Sequence, residues 1–214
     1  MELKNNEFIY FGDPMCSWCY GFTRELEALM DHYKEKFSFR VIIGGLRPYT
    51  KEPLDSSTKE ELRHHWDAVN ERTGVPFNYD LLDNTVEFVY DTEKPCRAVV
   101  TARKIDPSIE FLFFKKAQEA FYAAGHDTNN INTYLDIAES VGISKNRFTE
   151  YYLSDEIRME TWQEFTWAKQ VGISSLPSLA LNHQEKFFAV SLGYSTFDIM
   201  KRTVEKILND PLPG

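Results

Sequence analysis

Cysteine is scarce in this sequence: Cys16, Cys19 and Cys96 are the only three in 214 residues. That is too few to staple a secreted scaffold of this size with disulfides. Cations are outnumbered as well, 24 Lys and Arg against 33 Asp and Glu, for a formal net charge of −9. Such a balance leaves no electrostatic footprint for nucleic acid or for an anionic membrane surface. No window approaches the roughly 18 uninterrupted apolar residues of a membrane span. The amino-terminal residues lack the basic start, apolar core and cleavage site of a secretory signal, so a cytoplasmic protein is expected. Fixed-period repeats and low-complexity tracts are missing too. What the chain has in quantity is hydrophobic residues, 43%, with aromatics at 14%. A soluble globular protein with large flat side chains in its core or in a groove is the expectation.

The order of elements follows from period and punctuation. Phe8-Ile9-Tyr10-Phe11 is an apolar run stopped by Gly12-Asp13-Pro14, which reads as a buried strand. Phe22, Leu26, Leu29, Met30 and Tyr33 then recur at helical spacing, predicting a helix from about Ser17 to Lys36. A second strand over Phe37–Ile43 closes at Gly44-Gly45, giving a strand-helix-strand unit suited to parallel pairing. From about Arg47 to Val171 helical patterns dominate: Thr58–Thr73, Pro95–Ile105, Pro107–Ala124, Ile131–Val141, Ser144–Leu153 and Asp155–Val171. Ser178–Leu181 and Phe187–Val190 flank the polar turn Asn182–Lys186 as a hairpin, and Thr196–Leu208 reads as a closing amphipathic helix.

The motif Cys16-Ser17-Trp18-Cys19 follows a strand and opens a helix. Unpaired N–H groups and the positive dipole end at a helix start favour a thiolate, the attacking species in disulfide exchange. Cys16 therefore reads as the nucleophile, and Cys19, one turn further in, as the resolving thiol. A zinc site would need two more ligands of suitable spacing. Cys96 and the histidines His32, His64, His65, His126 and His183 offer no second compact pair, so no metal is expected. The second signature is Leu176-Pro177 at the start of a strand. Proline cannot donate to a sheet ladder, so it marks either a trans residue opening an edge strand or a cis bond. With the cysteine pair upstream at this element order, cis is expected, leaving the Leu176 backbone turned outward to pair with an extended substrate.

Tyr10-Phe-Gly-Asp-Pro-Met-Cys-Ser-Trp-Cys-Tyr-Gly-Phe22, the helical middle and Gly172–Ser178 together resemble the DsbA family, in its FrnE-like branch. The resemblance implies an α/β, thioredoxin-like fold with a large helical insertion: residues 1–46 and 172–214 as the thioredoxin-like domain, 47–171 as the inserted one. It implies an enzyme, a protein-disulfide oxidoreductase or isomerase, with Cys16 as nucleophile, Cys19 resolving and Pro177 as a cis proline facing the disulfide. Trp18, Leu176 and Pro177 would contact substrate, a disulfide-containing protein or peptide or a low-molecular-weight thiol. No organic cofactor is expected, with glutathione a candidate thiol partner. The chain also departs from its relatives. The middle dipeptide is Ser17-Trp18, neither Gly-Pro nor Pro-His, so the direction of electron flow is not readable. Where relatives carry a buried acid six residues before the nucleophile, this chain has Tyr10.

Several residues admit two readings. Asp13 is either a loop cap or a proton-transfer group. Cys96, after Pro95 at a helix start, is either inert filler or somewhat acidified. Trp162, Phe165 and Trp167 form a stripe that packs in the core or lines a groove above Cys16. Two further functions compete: a glutathione-dependent transferase or isomerase of the kappa-class or 2-hydroxychromene-2-carboxylate isomerase type, and a non-catalytic adaptor binding around Pro177. The former type generally carries a serine near the first cysteine position, which Cys16 and Cys19 argue against.

Overall fold

A computed structural model describes residues 4–84 and 87–209; the extreme ends of the segments assigned above to the thioredoxin-like domain lie outside that range. Four strands form one sheet: β1 (Glu7–Gly12), β2 (Ser38–Ile43), β3 (Ser178–His183) and β4 (Lys186–Leu192), in the order β2-β1-β3-β4. β1 and β2 are parallel, joined by helix α1 (Ser17–Tyr33), whereas β1–β3 and β3–β4 are antiparallel. The β3–β4 turn narrows to Gln184 and Glu185, both at positive φ, the conformation that matches strand twist in a two-residue hairpin. Helix α9 (Phe197–Asn209) closes the chain.

Between β2 and β3 lie α2 (Ser56–Thr73), α3 (Asp80–Asn84), α4 (Glu93–Ile105), a 3-10 turn at Pro107–Ile109, α5 (Glu110–Tyr122), α6 (Ile131–Ser140), α7 (Lys145–Leu153) and α8 (Asp155–Gln170). Their starts follow the side-chain chemistry of capping. Asp55 accepts from Thr58 N at 2.7 Å, and Ser144 and Ser154 accept from the third residue of α7 and α8. No helix among the described residues is long and apolar enough to cross a membrane.

Strand β1 is buried along its whole length because both faces are covered. Side chains alternate across a strand, so Phe8 and Tyr10 enter one apolar cluster with Phe22, Leu26 and Phe114. Ile9 and Phe11 enter another with Ile42, Ala168 and Ala180, where Trp167 stacks on Phe11 at 5.4 Å. A third cluster lies within the helices, where Trp66, Phe121, Tyr122, Leu81 and Phe88 are almost wholly buried around Met15. Burying one such large side chain is worth about 1.5–3 kcal/mol, so this cluster is a substantial anchor for the residue preceding Cys16.

β2 is an edge strand, and its outer backbone groups are not left open. Glu164 accepts from Ile43 N at 2.8 Å and Glu110 from Val41 N at 3.3 Å, while Arg103 donates to Val41 O at 3.1 Å. The same Arg103 pairs with Glu110 at 2.8 Å and with Glu164. Three side chains thus stand where a neighbouring strand would be, which blunts the edge against pairing with another chain.

Candidate active site

β1 ends at Gly12, and Asp13, Pro14 and Met15 turn the chain into α1. Met15 fixes this turn from the helical side: its carbonyl accepts from the Tyr90 hydroxyl and its sulfur lies 3.4 Å from the Thr128 hydroxyl. Asp13 fixes it from within. One carboxylate oxygen accepts from Met15 N at 2.8 Å and the other from Leu46 N at 2.7 Å, tying the turn to the loop after β2. Asp13 is wholly buried, and that burial pushes its carboxyl above the usual range despite the hydrogen bonds from Leu46, Met15, Thr92 and Cys96. Asp13 thus anchors the loop.

Cys16 is the N-cap of α1, in extended backbone and with no side-chain cap; its carbonyl accepts from Tyr20 N at 3.0 Å. It is 5% exposed, against 0% for Cys19, and both stand as thiols. Burial pushes the Cys19 thiol well above its usual range, and its hydrogen bond to Cys16 adds to the effect. Burial thus favours the protonated form of Cys19. On the other side, Cys16 Sγ approaches Leu176 O at 3.7 Å, and the Leu176–Pro177 peptide is cis. Pro177 is buried, its carbonyl accepting from Gly193 N at 2.7 Å. The Leu176 side chain lies so close to Gly44 that a Cβ there would sit 2.8 Å from its methyls. Glycine is what lets the loops after β2 and before β3 meet beside the thiol.

Trp18 is half-buried and faces Tyr194, with ring centroids 5.8 Å apart. Trp18, Leu176, Gly193, Tyr194 and Arg72 line a groove of about 500 Å³ beside the thiols. The Arg72 guanidinium lies 5.7 Å above the Tyr194 ring at the rim. The structure thus gathers Cys16, Cys19, Trp18, Leu176 and Pro177 into one place, and adds Arg72 and Tyr194. Nothing in the sequence pointed to Arg72, in the last turn of a surface helix; the glycine break before Tyr194 was the one available signal.

Two features that admitted two readings are placed here. Cys96 is inside α4, not at its first position, and its thiol faces Asp13. Burial and the Asp13 charge push it well up, the opposite of acidification. Trp162, Phe165 and Trp167 do not form a common stripe. Trp162 is 51% exposed, Phe165 is buried against Gly45, and Trp167 covers Phe11. Among the described residues no group of three His, Cys, Asp or Glu side chains is placed to hold a metal.

The family model described as thioredoxin matches residues 9–201, nearly the whole chain. A candidate protein disulfide isomerase from Nitrosomonas europaea is 32% identical, over 96% of this chain and 98% of its own, with a TM-score of 0.88. The chain belongs to the thioredoxin family, in its DsbA-like branch. The cytosolic disulfide reductase DsbM from Pseudomonas aeruginosa shares the fold of this DsbA-like chain at 21% identity, covering 94% and 98%, with a TM-score of 0.77; that protein is also known in complex with GSH. A 2-hydroxychromene-2-carboxylate isomerase shares it at 10% identity, covering 94% and 96%, with a TM-score of 0.65. No curated protein matches the chain. The fold and family are those of thiol-disulfide oxidoreductases.

Proposed function

We propose that the protein exchanges a dithiol for a disulfide through Cys16 and Cys19. The observation that carries this reading is the placement of Cys16: at a helix start, one turn before the buried Cys19 and 3.7 Å from the carbonyl of Leu176. The Cys16 thiolate attacks a substrate disulfide, RS–SR′, and expels one thiolate, which takes up a proton. Cys19 then attacks Cys16 Sγ of the mixed disulfide; the Cys16–substrate bond breaks, and Cys16–Cys19 forms. The substrate gains the two electrons that the dithiol loses. The oxidised protein runs the same steps backward. Residues 47–171 act in this scheme as a helical insertion in a thioredoxin-like unit made of 1–46 and 172–214.

Substrate lies in the groove of Trp18, Leu176 and Tyr194, with the backbone beside Pro177 pairing an extended disulfide-bearing peptide or holding a small thiol. Arg72 adds a cation at the rim, so small disulfides carrying carboxylates, glutathione disulfide among them, fit this groove's charge. A cytoplasmic setting agrees with such a partner. Cys16→Ser should abolish reduction of insulin and of hydroxyethyl disulfide while the far-ultraviolet circular dichroism stays native. Unchanged turnover in that variant overturns the assignment. The fold shared with 2-hydroxychromene-2-carboxylate isomerase keeps a glutathione-dependent transferase or isomerase as the second reading. Glutathione-dependent turnover that survives Cys19→Ala would favour it.

A further inference from the structure

Exchange through Cys16 and Cys19 leaves one buried group in contact with them without a role. Tyr10, in the middle of β1, is fully buried, and its hydroxyl makes no well-formed hydrogen bond, only a contact with the Cys19 sulfur. A buried polar group left unsatisfied costs about 1–3 kcal/mol, so one retained at a reactive centre calls for an explanation. The ring is fixed by aromatic neighbours that offer no lone pair: Phe22 at 5.9 Å, Phe114 edge-on at 5.6 Å and Phe39 at 6.3 Å. It leans along the strand over Gly12, where a Cβ would come within 2.6 Å of Cζ and 2.7 Å of the hydroxyl oxygen. Only glycine at that position leaves the phenol room to lie as it does. The titratable groups the hydroxyl faces are the Cys19 sulfur first, with Cys16 and Asp13 beyond. Burial, and then those same groups, hold its proton far above the usual phenol range, so Tyr10 is a donor and never a base.

We propose that Tyr10 is the hydrogen-bond donor that receives the charge developing on Cys19 during the resolving step. The inference rests on the dithiol-exchange reading given above. A protonated thiol is a weak acceptor and a thiolate a strong one, which explains why the hydroxyl makes only a weak contact with the resting dithiol. Once Cys16 carries substrate, Cys19 attacks Cys16 Sγ, the Cys16–substrate bond breaks and Cys16–Cys19 forms. The departing sulfur leaves with the electron pair and takes up the proton that Cys19 gives up. Tyr10 keeps its own proton throughout and donates to the Cys19 sulfur while it is anionic.

The two phases of reaction with 5,5′-dithiobis(2-nitrobenzoate) separate the steps. Attack by Cys16 releases the first thionitrobenzoate, and attack by Cys19 on the mixed disulfide releases the second. In Tyr10→Phe the first phase should keep its rate within about twofold, while the second slows about tenfold at pH 7, the size of one charge-assisted hydrogen bond. The pH profile of the second phase should move to higher pH, with little loss of thermal stability in the reduced protein, because the hydroxyl it removes makes only a weak contact there. Gly12→Ala, which crowds the ring, should slow the same phase. An unchanged second phase in Tyr10→Phe, or equal slowing of both phases, overturns the role of Tyr10. A wild-type protein that shows no second phase overturns the exchange reading itself, and with it the inference.

Discussion

Two buried polar clusters lie on either side of β2, and they are built to opposite specifications. At the outer edge, Arg103, Glu110 and Glu164 pair with each other, and together they occupy the open N–H and C=O groups of Val41 and Ile43. Beside β1, Asp13 is tied down by backbone N–H groups, but the thiols next to it face weak partners, and the Tyr10 hydroxyl makes no well-formed hydrogen bond. A network in which every member is satisfied stiffens a fold; a partly satisfied one stores reactivity. The contrast separates the scaffold from the chemistry without reference to any relative.

Breaking the edge cluster should produce the largest effect on stability. Arg103→Ala leaves two carboxylates buried against each other, and about 3–5 kcal/mol should be lost in denaturant unfolding. The rate of Cys16 alkylation per folded molecule should not change, because Arg103 bonds to β2, α5 and α8 and to neither thiol. A loss under 1 kcal/mol would mean that the triad is relaxed by solvent and that the two clusters are alike.

The second difference appears against pH. The fold holds Cys19 and Cys96 protonated, mainly through burial, so above the usual thiol range of about 8.5 the folded state binds more protons than the unfolded chain. Stability of the reduced protein is therefore complete below about pH 8.5 and lost as pH rises beyond it. Closing Cys16–Cys19 removes Cys19 from that balance. The melting temperature of the oxidised protein should fall less steeply between pH 8 and 10, and equal slopes would sink the reading of Cys19 as a proton-holding thiol.

The smallest effect tests the groove. Arg72→Ala should raise KM for glutathione disulfide about three- to tenfold and leave hydroxyethyl disulfide untouched, as expected for loss of one charge-assisted contact at an exposed rim. Equal effects on the two substrates would make Arg72 a structural cover for Tyr194.

The sheet was legible because β1 and β3 carry apolar runs ended by glycine, proline and turn residues, and helices α4 to α8 because their apolar periods stand between capping serines and acids. The stretch over 76–90, with α3, was not read. Its aromatics, Phe77, Tyr79, Phe88 and Tyr90, have no period, and they belong together only because Trp66 and Tyr122 stand between them. Trp66 itself is wholly buried in a helix whose sequence is mostly polar and charged. Arg103, Glu110 and Glu164 each read as ordinary helix-surface charges, and only the crossing of α4, α5 and α8 at β2 makes them one device. Cys96 could not be placed, since its partner Asp13 lies far away along the chain.

What the sequence by itself determined is what depends on neighbours in the chain: the strand-helix junction that sets Cys16 at a helix start, the Cys16–Cys19 spacing of one turn, and the proline opening β3. Tertiary structure decided everything that needs two distant segments to share a desolvated space. It set Leu176 O beside Cys16, Asp13 between Met15 and Leu46, and the Tyr10 hydroxyl against Cys19 through the gap at Gly12. Burial and long-range hydrogen bonding set the behaviour of those groups, and no local period in the chain encodes either.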